Sequence, residues 1–124
     1  MSRGFRAPGR GGERVTVYVD NMQARYGRMI MSHMIADSDE ELHAMADKIG
    51  VNRRWWQSPE TSSGSHYDIC ATSRTRALRL GAVEITMRQA AAMNLRRRVL
   101  GELGSPADAL EWFLRYRKSR KSSR

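Results

Sequence analysis

The sequence lacks a pair of cysteines, and Cys70 is the single one among its 124 residues. No internal disulfide can form, which is typical of proteins in a reducing cytoplasm. No apolar run approaches the roughly 20 residues that span a bilayer. The basic start is not followed by the apolar stretch of a secretory signal. We therefore expect one cytoplasmic protein domain without membrane contact, long enough to bury its own core.

A phosphate-binding glycine loop is also absent, since the glycines of residues 9–12 follow no predicted strand and precede no predicted helix. The central region lacks excess charge. The formal net charge is +9, yet residues 15–114 contain as many acidic as basic groups. The excess lies in residues 1–14 and 115–124, which we expect to be flexible basic tails around a domain at 15–114. Such tails either bind a polyanion such as nucleic acid or only keep the protein soluble.

Apolar and β-branched segments alternate with segments that have helical spacing. Strands are expected at residues 15–19, 28–36, 66–70 and 82–85. Helices are expected at residues 38–49, 73–80, 86–100 or 86–103, and from 106 to about 114, where the basic tail begins. Ser38 with Glu41, and Thr86 with Gln89, have the spacing of capping boxes. The order predicts the α/β class: a small single-layer sheet covered by helices, with C-terminal helices and basic tails.

All three histidines fall within residues 27–70, each near a carboxylate. His66 and Asp68 are two residues apart on a predicted strand, so they share one face. A histidine oriented by such a carboxylate is suited to general acid–base chemistry. The catalytic candidates are therefore His66, Asp68 and His33. The candidates for binding a ligand in the same pocket are Asp20, Asp37, His43 and Arg76.

The three histidines with Asp20, Asp37 or Asp68 offer nitrogen and oxygen donors suited to zinc, manganese or iron. No two of the histidines have the spacing of a known metal motif, so we expect a pocket without metal. The alternative is that these side chains are ordinary hydrogen-bonded polar residues. The identity of any cofactor stays open, and a homo-oligomer is compatible with the sequence.

A basic and aromatic segment at residues 53–56 resembles the surfaces that stack bases and hold phosphates. Two adjacent tryptophans on a strand face opposite sides, so one of them is expected in the core. Cys70 is expected to be buried and unreactive. The residues proposed for nucleic-acid contact are Arg53, Arg54, Trp55, Arg117, Lys118, Arg120 and Lys121.

Several short segments together resemble a small domain of unknown function found in bacteriophage and bacterial genomes, especially actinobacterial ones. The resemblance covers about residues 15–88 and is carried by VYVD at 17–20, SHMIAD at 32–37, ELHA at 41–44, HYDI at 66–69 and GAV at 81–83. It implies a phage or bacterial protein and no particular activity.

From the residues we expect a protein that binds a small anionic nucleotide-like ligand in a His/Asp/Arg pocket, and whether it also hydrolyses that ligand stays open. The alternative is a non-enzymatic accessory protein that binds nucleic acid through its basic tails.

Overall fold

The computed structural model describes residues 16–122, so the tail predicted for residues 1–14 lies outside the described part. The strands are β1 (Val17–Val19), β2 (Ala24–Tyr26), β3 (Met29–Ala36), β4 (Tyr67–Cys70) and β5 (Val83–Glu84). The helices are α1 (Asp39–Lys48), α2 (Ala71–Arg79), α3 (Met87–Leu100) and α4 (Pro106–Ser122). Their order confirms the predicted α/β class.

Strand β3 is the centre of the sheet. It pairs antiparallel with β2 through residues 29–31, with β1 through residues 34–36 and with β4 through residues 31–34. Strand β5 extends the sheet by pairing in parallel with β1. Because β3 has partners on both edges, side chains near its middle have neighbours from two other strands.

Helices cover both faces of the sheet. On one face, Val19, Met34 and Tyr67 belong to a core that also includes residues of α1 and α2. On the other face, Tyr18 and Ile35 pack in a second core with residues of α3 and α4. Since successive strand residues point to opposite faces, β1 and β3 each contribute to both cores.

The predicted capping residues define the helix starts. The Ser38 side chain accepts a hydrogen bond from the backbone of Glu41, and Thr86 and Gln89 form a full capping box. Helix α3 ends at Gly101, which has a φ of 95° that favours glycine. These local signals explain why α1 and α3 could be placed from the sequence.

Three elements differ from the predictions. Strand β2 was not expected, and the tryptophan segment, whose two rings were assigned to opposite faces as on a strand, contains a 3-10 turn at Arg53–Trp55. Residues 115–122, predicted to be a flexible tail, continue α4 as helix to Ser122. This segment has no glycine or proline, and arginine and lysine are good helix formers.

Among residues 16–122, no helix is both long and apolar enough to cross a bilayer.

Candidate functional site

A row of polar side chains crosses the sheet on the face that carries α3 and α4. Asp20 follows β1, and its backbone N–H donates to the His33 carbonyl at 3.0 Å. On the other edge of β3, His33 is the cross-strand partner of Asp68. His66 lies two residues before Asp68 and therefore shares its face. The sheet register thus brings together four of the predicted site residues.

The His33 ring is held by Asp20, which is almost fully buried at 1% exposure. The distance from His33 Nδ1 to Asp20 Oδ2 is 2.7 Å. The other oxygen, Oδ1, accepts from the backbone N–H groups of His33 and Met22. Burial alone raises the pKa of Asp20, but the hydrogen bonds from the His33 side chain and backbone outweigh it and lower that pKa. The same side-chain bond raises the pKa of His33, against the effect of burial.

The His66 ring is buried and is also fixed through its Nδ1 atom, which lies 2.7 Å from the carbonyl oxygen of Gly64. Its ring lies edge-on to the His33 ring, with 5.3 Å between the ring centroids. The two imidazoles are therefore oriented by different acceptors but meet at one point.

That point is the Oδ1 atom of Asp68. It lies 3.4 Å from His66 Nε2 and 3.7 Å from His33 Nε2, and this buried atom has no hydrogen-bond partner. Asp68 Oδ2 accepts from Gln57 Nε2 at 2.9 Å. The adjacent His66 ring, helped by Gln57, lowers the pKa of Asp68 although burial opposes this.

The tautomers of both rings follow from their acceptors. A carboxylate or a carbonyl oxygen can only accept, so Nδ1 donates in His33 and in His66. When neutral, each ring directs the lone pair of its Nε2 atom toward Asp68 Oδ1, which is itself an acceptor; when protonated, its Nε2–H can donate there instead. Three acceptors placed this way need a proton or a metal cation between them.

The three atoms fit a metal ion in their spacing. His33 Nε2, His66 Nε2 and Asp68 Oδ1 all lie within 4.8 Å of one another. Zinc holds nitrogen and oxygen ligands at about 2.0–2.2 Å, so two ligands of a tetrahedron are roughly 3.3–3.6 Å apart. The 3.4 and 3.7 Å separations are close to that spacing. The hydrogen bonds at Nδ1 match the outer contacts that usually orient metal-binding histidines.

The structure does not bring the other predicted ligand-binding residues into this cluster. Asp37 lies four residues beyond His33, about 13 Å along the chain, and lines a separate pocket with Thr16, Glu41 and Glu102. Arg76 instead donates to the Ile49 carbonyl at 3.2 Å, at the end of α1. Its place on α2, which covers the opposite face, keeps it from the cluster.

His43 belongs to the opposite face of the sheet as well. Its Nδ1 lies 2.7 Å from the Tyr67 hydroxyl, and its ring packs edge-on against Trp56 at 4.9 Å. Tyr67 and Asp68 are successive residues of β4 and point to opposite faces. His43 is thus separated from the other two histidines by the sheet itself.

Gln57 is a site residue that the sequence did not reveal. It reaches Asp68 because an isolated antiparallel bridge joins its backbone to that of His66. Gly64, whose carbonyl orients His66, was likewise only part of a predicted loop. Neither position has a local sequence signal, since each acts through a contact across the fold.

The nucleic-acid candidates are divided between two places. Trp55 is 58% exposed with the Arg54 guanidinium 4.9 Å above its ring, whereas Trp56 is partly buried against the core. The prediction that one tryptophan packs in the core is confirmed. Arg53 is paired with Asp47 at 2.9 Å.

The other candidates, Arg117, Lys118, Arg120 and Lys121, are exposed on the last turns of α4. Arg117 lies over the Phe113 ring at 5.6 Å, and Arg120 over the Tyr116 ring at 5.7 Å.

Cys70 is less buried than expected. It is at intermediate exposure, immediately before the first residue of α2. Hydrogen bonds between the Cys70 sulfur and the backbone and side chain of Ser73 lower the pKa of the Cys70 thiol. The prediction that Cys70 is unreactive therefore has no support from burial.

The fold and the cluster define a small α/β domain with helices on both sheet faces and a His–His–Asp site on one of them. The chain belongs to the family described as "Protein of unknown function (DUF4031)", which matches residues 17–97. This confirms the resemblance to a domain of unknown function. The matched range contains the whole cluster, whereas α4 lies beyond it. Comparisons with curated proteins and with solved structures found no match.

Proposed function

We propose that His33, His66 and Asp68 bind a divalent transition metal, and that this metal binds and hydrolyses a small anionic ligand. The observation that carries the proposal is the convergence of two histidine Nε2 atoms on the unpartnered Asp68 Oδ1. Three protein ligands of this kind leave a coordination position for water or substrate, which is the arrangement of catalytic rather than structural zinc sites.

The surroundings of the cluster support a preorganised metal site. Asp20 and Gly64 hold the two rings in the tautomer that a metal needs, and Gln57 holds the second oxygen of Asp68. The rings therefore need no rearrangement to bind a cation. The nearly buried carboxylate of Asp20 would also compensate the positive charge of the metal.

Ligand access is compatible with the partial exposure of the cluster. The side chains of His33 and Asp68 are 35% and 28% exposed, so a ligand can reach the edge of the cluster from solvent although Asp68 Oδ1 itself is buried. A bound metal lowers the pKa of its water and polarises a phosphoryl oxygen. In hydrolysis of a phosphate ester, the water oxygen bonds to phosphorus, the ester oxygen leaves, and a proton passes from the water to the leaving oxygen.

Metal binding is tested by titrating the full chain with Zn²⁺ in a calorimeter and with Co²⁺ by visible absorption. We expect one ion per chain and, in Co²⁺, the spectrum of a tetrahedral site. His33→Ala and Asp68→Asn each remove a ligand and should weaken binding by at least about 100-fold. His43→Gln is the matched control, because it removes a histidine on the other face of the sheet.

Unchanged one-to-one binding in both His33→Ala and Asp68→Asn would overturn the proposed site, provided that circular dichroism shows folded variants. Hydrolysis is measured separately with p-nitrophenyl phosphate as substrate, by the release of p-nitrophenol. Metal-dependent release that His33→Ala abolishes supports turnover. A metal-loaded protein that binds phosphate without release would be a binding protein instead.

Helix α4 supports a second candidate function, the binding of nucleic acid. Its last turns, residues 115–122, carry five basic groups and no acidic one. Trp112 and Tyr116 stack with 4.9 Å between ring centroids, next to these basic groups. Basic side chains interleaved with aromatic rings are typical of surfaces that bind single strands. Because these residues are helical, they present this surface in a fixed arrangement.

A further inference from the structure

A groove of about 580 Å³ opens beside the His–His–Asp cluster. One wall comes from the β2–β3 hairpin, with Tyr26, Met29 and Met31, and the other from the segment after α1, with Trp55 and Gln57. Its volume is in the range of pockets that hold small organic ligands. The lining is mostly apolar and includes a few polar side chains.

The groove exposes aromatic and sulfur-containing side chains to an unusual degree. Tyr26 is 68% exposed, Trp55 is 58% exposed and Met29 is 49% exposed. Clustered exposed apolar groups at a concave surface mark a ligand or partner site rather than a packing accident. The flat faces of Tyr26 and Trp55 favour a planar aromatic group, because such rings stack on every base.

The groove is continuous with the cluster. Asp68, the proposed metal ligand, also lines the groove, and so does Gln57, which holds its second oxygen. Met31 and His33 share a face of β3, and two strand residues span about 7 Å. A ligand in the groove therefore has its far end next to the metal position.

We propose that this groove holds the base of a nucleoside phosphate whose phosphate reaches the metal. The proposal rests on the proposed function, because the metal supplies the anchor for the phosphate. Stacking on the Trp55 ring supplies the contact for the base. The Arg54 guanidinium lies 4.9 Å from the centroid of that ring and adds a positive charge beside the stacked base. Asn52 and Ser73, which also line the groove, offer polar groups to the edge of the base.

The test compares ligands that share a phosphate but differ in the base. The metal-loaded full chain is titrated with a nucleoside 5′-monophosphate and with ribose 5-phosphate. We expect the nucleotide to bind at least about tenfold more tightly, which is the contribution of one base stacked on an aromatic ring. Trp55→Ala should remove that difference and leave the affinity for ribose 5-phosphate unchanged. Trp55→Phe, which retains a flat ring, should keep most of it.

Equal affinities for the two ligands, or equal losses for both in Trp55→Ala, would overturn the groove proposal. The metal titration distinguishes this failure from that of the proposed function. A protein that binds metal and phosphate without base preference keeps the metal site and loses the groove. One that binds nucleotides through Trp55 but binds no metal keeps the groove and loses the metal. A 5′-phosphorylated oligonucleotide shows whether the base belongs to a free nucleotide or to the end of a strand.

Discussion

Asp68 and Ile69 are successive residues of β4, but Asp68 belongs to the His–His–Asp cluster and Ile69 to the hydrophobic core. Substitutions at the two positions therefore compare an effect on binding with an effect on stability. Ile69 is 1% exposed in the core, and Ile69→Ala should lower the free energy of unfolding by about 2–5 kcal/mol. Asp68→Asn should cost much less. The new amide keeps an oxygen for Gln57 and can donate to a histidine Nε2 where the carboxylate could only accept. Urea unfolding with a chelator present measures both variants without metal.

An Asp68→Asn variant as unstable as Ile69→Ala would contradict this expectation. Asp68 would then be a buried structural anchor whose charge stabilises the fold. The cluster would be a hydrogen-bonded network, which is the alternative that the sequence left open. A stable Asp68→Asn protein that has lost metal affinity would instead separate ligand binding from folding.

Individual residues also show how far the sequence reaches. The pairing of His66 with Asp68 follows from strand periodicity alone, because residues two apart share a face. Their meeting with His33 does not, since it depends on the register that sets His33 opposite Asp68. The separation of His43 depends likewise on which face α1 covers, a property of the packed fold. The His-containing segment 27–70 therefore indicates a site, but strand periodicity assigns only His66 and Asp68 to one another.

At the scale of elements, local signals decided which parts were predictable. Strand β3 and helices α1 and α3 have long apolar patterns or caps, and they lie near their expected positions. Strand β2 has three residues and is defined by its pairing with β3, so its sequence is too short to show a periodic pattern. The charge of residues 115–122 predicts a flexible tail, but these residues are helical because their helix propensity is high.

Helix α4 allows a test of nucleic-acid binding with matched charge changes. Arg117→Gln/Arg120→Gln removes two positive groups of the helix, and Arg25→Gln/Arg28→Gln removes two exposed ones near β2. Each phosphate contact on a single strand contributes about 0.7 to the slope of log affinity against log salt. If α4 binds the strand, the first variant should reduce that slope by about 1.4, whereas the second leaves it unchanged. Fluorescence anisotropy with a labelled oligonucleotide measures both slopes.

A slope that falls equally in both double variants would mean that only overall charge matters. Absence of measurable binding by the unaltered protein at low salt would reject α4 as a nucleic-acid surface. Either result leaves the proposed metal site untouched, because α4 contributes none of its ligands.

At the scale of the whole molecule, the cluster joins parts that are distant along the chain. Asp20 follows β1, His33 lies in β3, and His66 and Asp68 come from the β4 region, with α3 and α4 packed on the same face. These segments are together only in the folded chain. A metal held by the three ligands therefore binds the native state in preference to the unfolded one, and it must stabilise the fold by mass action.

The size of that stabilisation follows from metal affinity. At free Zn²⁺ about 100 times its dissociation constant, the native state gains about 2.7 kcal/mol. For a domain of this length we expect Tm to rise by at least about 5 °C. A chelator should reverse the rise, His33→Ala should abolish it, and His43→Gln should retain it. Scanning calorimetry with and without metal measures the Tm of the unaltered protein and of both variants, and a repeat with chelator tests the reversal. An equal rise in His33→Ala would place the stabilising metal elsewhere, because a single remaining histidine and one carboxylate cannot match the affinity of the complete set.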